Sequence, residues 1–215
     1  TYCRDVRGPD RRVCTRPAPV RHTWLGCVGS RRNSANLDPD YTQGEAKVPG
    51  FLDLQCGDEI LPLTSNMARV RAKVAGLTTH GETYSAAGLI WGQRMVDFGE
   101  PFPLTRMSDN GQPPRRIVIF MTDGNNTRSR VDELHTGTNR SDADDVSERV
   151  CDGMHADPDL EVYTVSFKVT NTRAKRLVQS CATELEMYYD AENGTRLNEA
   201  FEDIAYSLLS PRLTQ

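Results

Sequence analysis

The stretch Arg115-Arg116-Ile117-Val118-Ile119-Phe120-Met121-Thr122-Asp123-Gly124 decides the fold class. Its apolar run from Ile117 to Met121 is continuous and mostly β-branched, with no polar alternation. That pattern predicts a strand buried on both faces, as in a parallel sheet. Thr122-Asp123-Gly124 ends the strand in a turn.

Reading downstream, residues 125–145 are polar and predict a long loop. A short helix follows from Asp144 to His155. The run Glu161-Val162-Tyr163-Thr164-Val165-Ser166-Phe167 predicts the next strand. Ala174, Leu177, Val178 and Cys181 mark a helix, and Met187-Tyr188-Tyr189 a short strand. Leu197, Phe201, Ile204, Ala205, Leu208 and Leu209 give the strongest amphipathic helix, which Pro211 stops.

Upstream, Met67, Val70, Val74 and Leu77 predict a helical face after Leu63-Thr64-Ser65, with Thr64 or Ser65 as the cap. A second helix carries Ala87, Trp91 and Met95 on one stripe and Leu89, Ile90 and Val96 beside it. A loop rich in Pro and Gly spans residues 97–114. Alternation of helix and strand implies an α/β layer fold with a mostly parallel sheet. Only three strands are firm, so the strand at 117–121 lacks a neighbour in this part of the chain.

Residues 1–60 read differently. They hold four of the six cysteines, many Arg, Gly, Pro, Asp and Asn, and almost no apolar periodicity. The expectation is a disulfide-stapled loop region with little core, with Phe51-Leu52-Asp53-Leu54 as its one strand-like piece. The cysteines are Cys3, Cys14, Cys27, Cys56, Cys151 and Cys181. Six allow fifteen pairings. Proximity along the chain favours Cys3–Cys14, Cys27–Cys56 and Cys151–Cys181 without excluding the others. No C-x-x-C occurs, which disfavours zinc and thioredoxin-like chemistry. The cysteine usage points to an oxidising compartment.

The chain has 215 residues, with 26 Lys plus Arg against 30 Asp plus Glu and a formal charge of −4. That length suits one large domain, or one domain with an insertion. Mild acidity argues against a nucleic-acid partner held through phosphate contacts. No run of ~18 apolar residues occurs, so no segment reads as a membrane span. G-x-S-x-G, the P-loop and G-x-G-x-x-G are all absent, which leaves hydrolase and nucleotide-binding readings without a motif. The acidic run Asp142, Asp144, Asp145, Glu148 and the pairs Arg11-Arg12 and Arg31-Arg32 read as solvated surface. Asn125-Asn126-Thr127, Asn139-Arg140-Ser141 and Asn193-Gly194-Thr195 match a glycosylation pattern by chance.

Ligands of a parallel α/β sheet bind at the carboxyl ends of its strands. Asp123 stands there. Thr83, in Gly81-Glu82-Thr83-Tyr84-Ser85 before a helix, faces the same crevice. Carboxylate and hydroxyl oxygens suit Mg²⁺ or Ca²⁺. Spacing alone favours the plainer account, a turn and a helix cap.

Pro62-Leu63-Thr64-Ser65-Asn66, Gly81-Glu82-Thr83-Tyr84, Ala87-Gly88-Leu89 and the strand ending Thr122-Asp123-Gly124-Asn125 together resemble a von Willebrand factor A domain. This is a Rossmann-like, doubly wound α/β fold. Trp24-Leu25-Gly26-Cys27-Val28, Ala87-Gly88-Leu89-Ile90-Trp91-Gly92, Gln179-Ser180-Cys181-Ala182 and Leu208-Leu209-Ser210 resemble one branch, the bacterial TadE/TadG-like proteins of Flp pilus assembly. The resemblance implies that residues 61–215 are the C-terminal portion of such a domain and residues 1–60 a Cys-rich loop insertion. It implies a metal-ion-dependent adhesion site in which Thr83 and Asp123 supply two ligands. The D-x-S-x-S loop that would supply the rest is absent, as are its strand and helix. The chain by itself is therefore expected to bind Mg²⁺ or another divalent cation weakly or not at all. The missing strands and a membrane anchor are expected upstream; natural loss of the metal site is the alternative. The implied role is non-enzymatic: an envelope-exposed domain, periplasmic or extracytoplasmic, that binds protein partners of pilus-assembly or adhesion machinery. The other reading is a metal-independent scaffold presenting the disulfide-rich insertion.

Overall fold

The structure, a computed structural model, describes residues 2–5, 12–15, 20–31, 48–54, 56–79, 81–99, 102, 111 and 114–209, with backbone alone for 2–5 and 12–15. Most of the expected 97–114 loop, Pro211, Arg32 and the side chains of Cys3, Cys14, Arg11 and Arg12 lie outside the described residues.

The centre is a three-stranded parallel sheet in the order β5–β6–β7: β5 (Arg116–Thr122), β6 (Leu160–Phe167) and β7 (Tyr188–Ala191). Val118 pairs with Val162 in register, and Thr164 with Tyr188. Helices α2 (Ser85–Val96), α3 (Arg140–His155) and α4 (Thr172–Ser180) cover one face. There Leu89, Ile90, Val146, Val150, Met154 and Val162 form the larger core cluster. Helix α5 (Gly194–Leu209) covers the other face over β6 and β7, burying Ile204 against Tyr163 and Val165. The expected α/β layering is present, with strand and helix limits within a few residues of the sequence reading.

Several expectations need correction. Among the described residues strand β5 is an edge strand, not one buried on both faces. Helix α5 sits over β6 and β7, so Ile119 and Met121 on that face are 41% and 48% exposed. Helix α3 begins four residues earlier than Asp144. Asn139 caps it by accepting from the Asp142 N–H, which converts the end of the predicted loop into a first turn. Helix α2 buries Ala86, Leu89, Ile90, Gln93 and Arg94, so its inward face is rotated away from the Ala87/Trp91/Met95 stripe. Helix α1 (Met67–Ala75) forms, but Asn66 rather than Thr64 or Ser65 caps it, and it buries none of its residues.

Residues 1–60 contain more regular structure than their composition indicates. Strands β1 (Tyr2–Asp5) and β2 (Arg12–Thr15) pair antiparallel, with Cys3 opposite Cys14. Strands β3 (Trp24–Val28) and β4 (Gly50–Leu52) form a second ribbon. Cys27 bonds to Cys56 and Cys151 to Cys181, two of the pairs that proximity favoured. The disulfides fit an oxidising compartment. Among the described residues, no helix is long and apolar enough to cross a membrane.

The β3–β4 ribbon is tied to the α/β layer next to Ser30. The Ser30 N–H donates to the Glu133 carbonyl at 3.0 Å, and the Ser30 hydroxyl meets His135 Nε2. A side chain at Gly29 would overlap the Glu133 carbonyl and the Phe51 ring, so only glycine permits this approach. Arg31, read from sequence as a surface charge, is buried here. Burial holds the His135 imidazole below the ordinary histidine range, so it is neutral at pH 7.

Candidate functional site

The carboxyl end of β5 and the loop before α2 carry the residues that the sequence nominated. Asp123 follows β5 directly and is exposed. Thr83 lies two residues before α2 and is half-buried. Their loops are stitched together. The Thr83 N–H donates to Thr127 Oγ1 at 2.8 Å, and the Thr127 and Arg128 N–H groups both donate to the Thr83 carbonyl at 2.9 Å. Arg128 also pairs with Glu82. The loop before α2 and the loop after β5 therefore form one hydrogen-bonded surface across 44 residues of sequence.

Beneath that surface lies a polar chain that sequence reading did not identify. Tyr84, the N-cap residue of α2, makes no capping bond with its own side chain. The vacant role falls to Asn126, whose Oδ1 accepts from the Ser85 N–H at 2.7 Å. Asn126 Nδ2 donates to Asp144 Oδ1 at 2.8 Å, and Arg173 Nε donates to Asp144 Oδ2 at 2.6 Å. Asn126 is 2% exposed and Asp144 8%. Asp144 is thus a buried, paired carboxylate and not part of a solvated acidic face. Its signal lay in helical spacing: Ala143, Ser147, Val150 and Met154 are buried, and Asp144 and Cys151 lie seven apart beside them. Asn126 carried no comparable signal, because an asparagine in a polar loop has no periodicity to betray burial.

Side chains of Asn125, Asn126, Arg140, Asp144, Asn171 and Arg173 line a cavity of about 270 Å³ at this edge. Arg173 is spent on Asp144 and Ser141. Arg140, at the start of α3, is exposed at the mouth. The arrangement offers a partner a cation beside amide donors and acceptors, which suits an acidic side chain.

As a metal centre the described residues fall short. A hard divalent cation takes about six or more oxygen ligands, and Thr83 and Asp123 provide two side chains. Among the described residues, no group of three or more His, Cys, Asp or Glu side chains is arranged to hold an ion. Both Asp144 oxygens are already engaged. Cys151 is in a disulfide, and His155 contacts the Cys181 carbonyl. Ser166, near the end of β6, is bonded to Tyr188 and Asp190.

No protein-family model matches the chain, and no curated protein does. Among solved structures, the pilus adhesin SpaC from Lactobacillus rhamnosus GG aligns with a TM-score of 0.46 and 12% identity. The alignment covers 67% of this chain and 21% of the adhesin, so the chain spans about a fifth of that protein's length.

Proposed function

We propose that residues 61–215 are the C-terminal portion of a von Willebrand factor A-type domain in a TadG-like envelope protein. In this reading the domain binds protein partners of pilus-assembly or adhesion machinery at the carboxyl edge of its sheet and performs no catalysis. The observation that carries the reading is the direct hydrogen bonding between the Thr83 loop and residues 127–128, the two loops that a von Willebrand A domain uses for binding. The outer edge of β5, unpaired among the described residues, supports it: a further strand there would pair its backbone groups, and a layer extended over that strand would cover Ile119 and Met121.

For the complete protein we propose that Thr83 and Asp123 contribute two oxygen ligands to Mg²⁺ or another divalent cation. The remaining ligands would come from outside the described residues. The partner would present an acidic side chain to this surface. Membrane attachment through an upstream anchor belongs to the same proposal. The test is capture of envelope partners by the full-length protein, with and without chelator. Asp123→Ala and EDTA should each reduce capture at least tenfold. Capture unchanged by EDTA removes the metal from the account; capture unchanged by Asp123→Ala removes the site.

One observation favours a second reading. The β3–β4 ribbon exposes Trp24, Leu25 and Leu52, each more than half accessible. A stapled ribbon showing that much apolar surface can itself be a contact. Here the α/β layer would be a scaffold, capture would survive EDTA, and reduction of Cys27–Cys56 would abolish it.

A further inference from the structure

His135 stands where three parts of the chain meet. Its own turn is built around Asp132, which accepts from the Leu134 and Thr136 N–H groups at 3.0 Å each and from the Thr136 hydroxyl. Ser129 and Gly137 close the base of the turn with a reciprocal pair of backbone bonds. The turn puts His135 in the left-handed backbone region, at φ 59°, which non-glycine residues visit uncommonly. Placed this way, the imidazole reaches two other elements. Its Nε2 meets the Ser30 hydroxyl beside the ribbon, and its ring centre lies 4.7 Å from that of Tyr84 at the start of α2. Ser30 is 3% exposed and Tyr84 9%. The Ser30 N–H also donates to the Glu133 carbonyl of the same turn, so the ribbon is docked on this turn by two adjacent contacts.

Protonation acts on this joint through burial. The hydrogen bond alone is indifferent, because the Ser30 hydroxyl donates to a neutral Nε2 or accepts from a protonated one. The charge is not indifferent, because docking takes the ring out of water. The charged groups around it give little compensation. On its own turn stand Asp132 and Glu133; Asp132 favours the imidazolium, and burial outweighs it. From the loop before α2 comes Glu82, already paired with Arg128. Arg130, Asp142 and Arg149 act on the Tyr84 phenol, two cations against one carboxylate. The ribbon side brings Arg31, a buried cation next to Ser30. The docked imidazole therefore titrates below the ordinary histidine range, whereas a ring released into water titrates near ~6.5. His135 lines a cavity of about 320 Å³ beside Glu82 and Arg128, which gives solvent protons a way to it.

We propose that His135 is a pH-operated latch: its neutral imidazole docks the β3–β4 ribbon onto the α/β layer, and its protonation releases the ribbon. The latch is independent of the role proposed for the carboxyl edge. Its sign follows from linkage. The released state binds the proton more tightly, so docking is complete above about pH 6.5 and weakens as pH falls, by up to about tenfold per pH unit, until the docked ring is itself protonated.

The test is nuclear magnetic resonance on the full chain with its disulfides intact, from about pH 7.5 to about pH 5. Two quantities are read: the titration midpoint of the His135 imidazole, and the exchange protection of the Ser30 N–H, corrected at each pH for the intrinsic exchange rate. The expected midpoint lies below about 6.5. Ser30 protection should fall at least about threefold over this range, while β6 protection stays constant. His135→Gln keeps a hydrogen-bonding group that does not titrate, and should abolish the pH dependence. Gly29→Ala sets a methyl group against the Glu133 carbonyl and the Phe51 ring, which undocks the ribbon with His135 in place. The His135 midpoint should then rise to about 6.5, with unchanged β6 amide shifts showing that the sheet is intact. A midpoint at or above about 6.5 in the unsubstituted chain, Ser30 protection that does not change with pH, or the same pH dependence in His135→Gln would each overturn the latch. If His135→Gln loses Ser30 protection at every pH, the Gly29→Ala titration decides: a midpoint that undocking leaves unmoved overturns the proposal.

Discussion

Asn126 shows how one residue joins the candidate site to the fold. It caps α2, which positions the Thr83 loop, and it anchors Asp144, which Arg173 holds from α4. Asn126→Ala leaves the Ser85 N–H and Asp144 Oδ1 without these partners, at about 1–3 kcal/mol for each buried group. Urea denaturation should show a loss of about 2–6 kcal/mol, and a loss under about 0.5 kcal/mol, the usual scale of a surface change, would mean that the polar chain is not structural. Tyr84 makes a second test. Burial pushes its phenol up to about 12, and its hydroxyl has no partner among the described residues. The folded state therefore holds the phenol proton more tightly than the unfolded chain, whose tyrosine titrates near 10. Stability from this group is complete below pH ~10 and falls as pH rises through ~12, by at most about 1.4 kcal/mol per pH unit. Tyr84→Phe should flatten that decline in urea midpoints taken from about pH 8 to about pH 11, and change little at neutral pH. A variant with the wild-type slope would contradict the assignment. The places of Thr83 before a helix and Asp123 after a strand were legible because strand ends and helix starts leave patterns. Asn126 was not, because its partners lie 18 and 41 residues away.

Elements were legible where burial imposes a period. Strands β5, β6 and β7 and helices α4 and α5 follow their apolar patterns closely. Which face a helix buries was less legible: α2 turns Gln93 and Arg94 inward, and a polar residue on an apolar stripe reads as its edge. The stripe of α1 is a sharper case. Met67, Val74 and Leu77 have helical spacing, yet all three are more than half exposed. Periodicity reports that a face is apolar and not what covers it. The same holds for β5, whose exposed Ile119 and Met121 look identical in sequence to core residues. Substitution separates the two states. Leu89→Ala, at a site 1% exposed, should cost about 2–5 kcal/mol by cavity formation. Met121→Ser should stay within about 0.5 kcal/mol in thermal or urea unfolding. Equal losses at both would show that the β5 face is covered.

For the whole molecule, a disulfide-stapled ribbon is joined through Ser30, Glu133 and His135 to a thin parallel sheet. That sheet has its larger core on the α2–α3 side and, among the described residues, an open edge at β5. The joint lies on the segment that connects the Thr127 loop to α3, so the ribbon contacts a segment continuous with one of the carboxyl-edge loops. The composition of residues 1–60 concealed this, because ribbons held by disulfides and backbone hydrogen bonds need little apolar periodicity. The central claim is that partners engage the carboxyl edge. Site-specific photocrosslinking in the full-length protein tests it most directly, with the reactive side chain introduced at Asn125 or Arg140 on that edge, or at Trp24 or Leu25 on the ribbon. The account predicts discrete partner adducts from positions 125 and 140 that disappear in Asp123→Ala. Adducts confined to positions 24 and 25, unaffected by Asp123→Ala, would contradict it and make the α/β layer a scaffold.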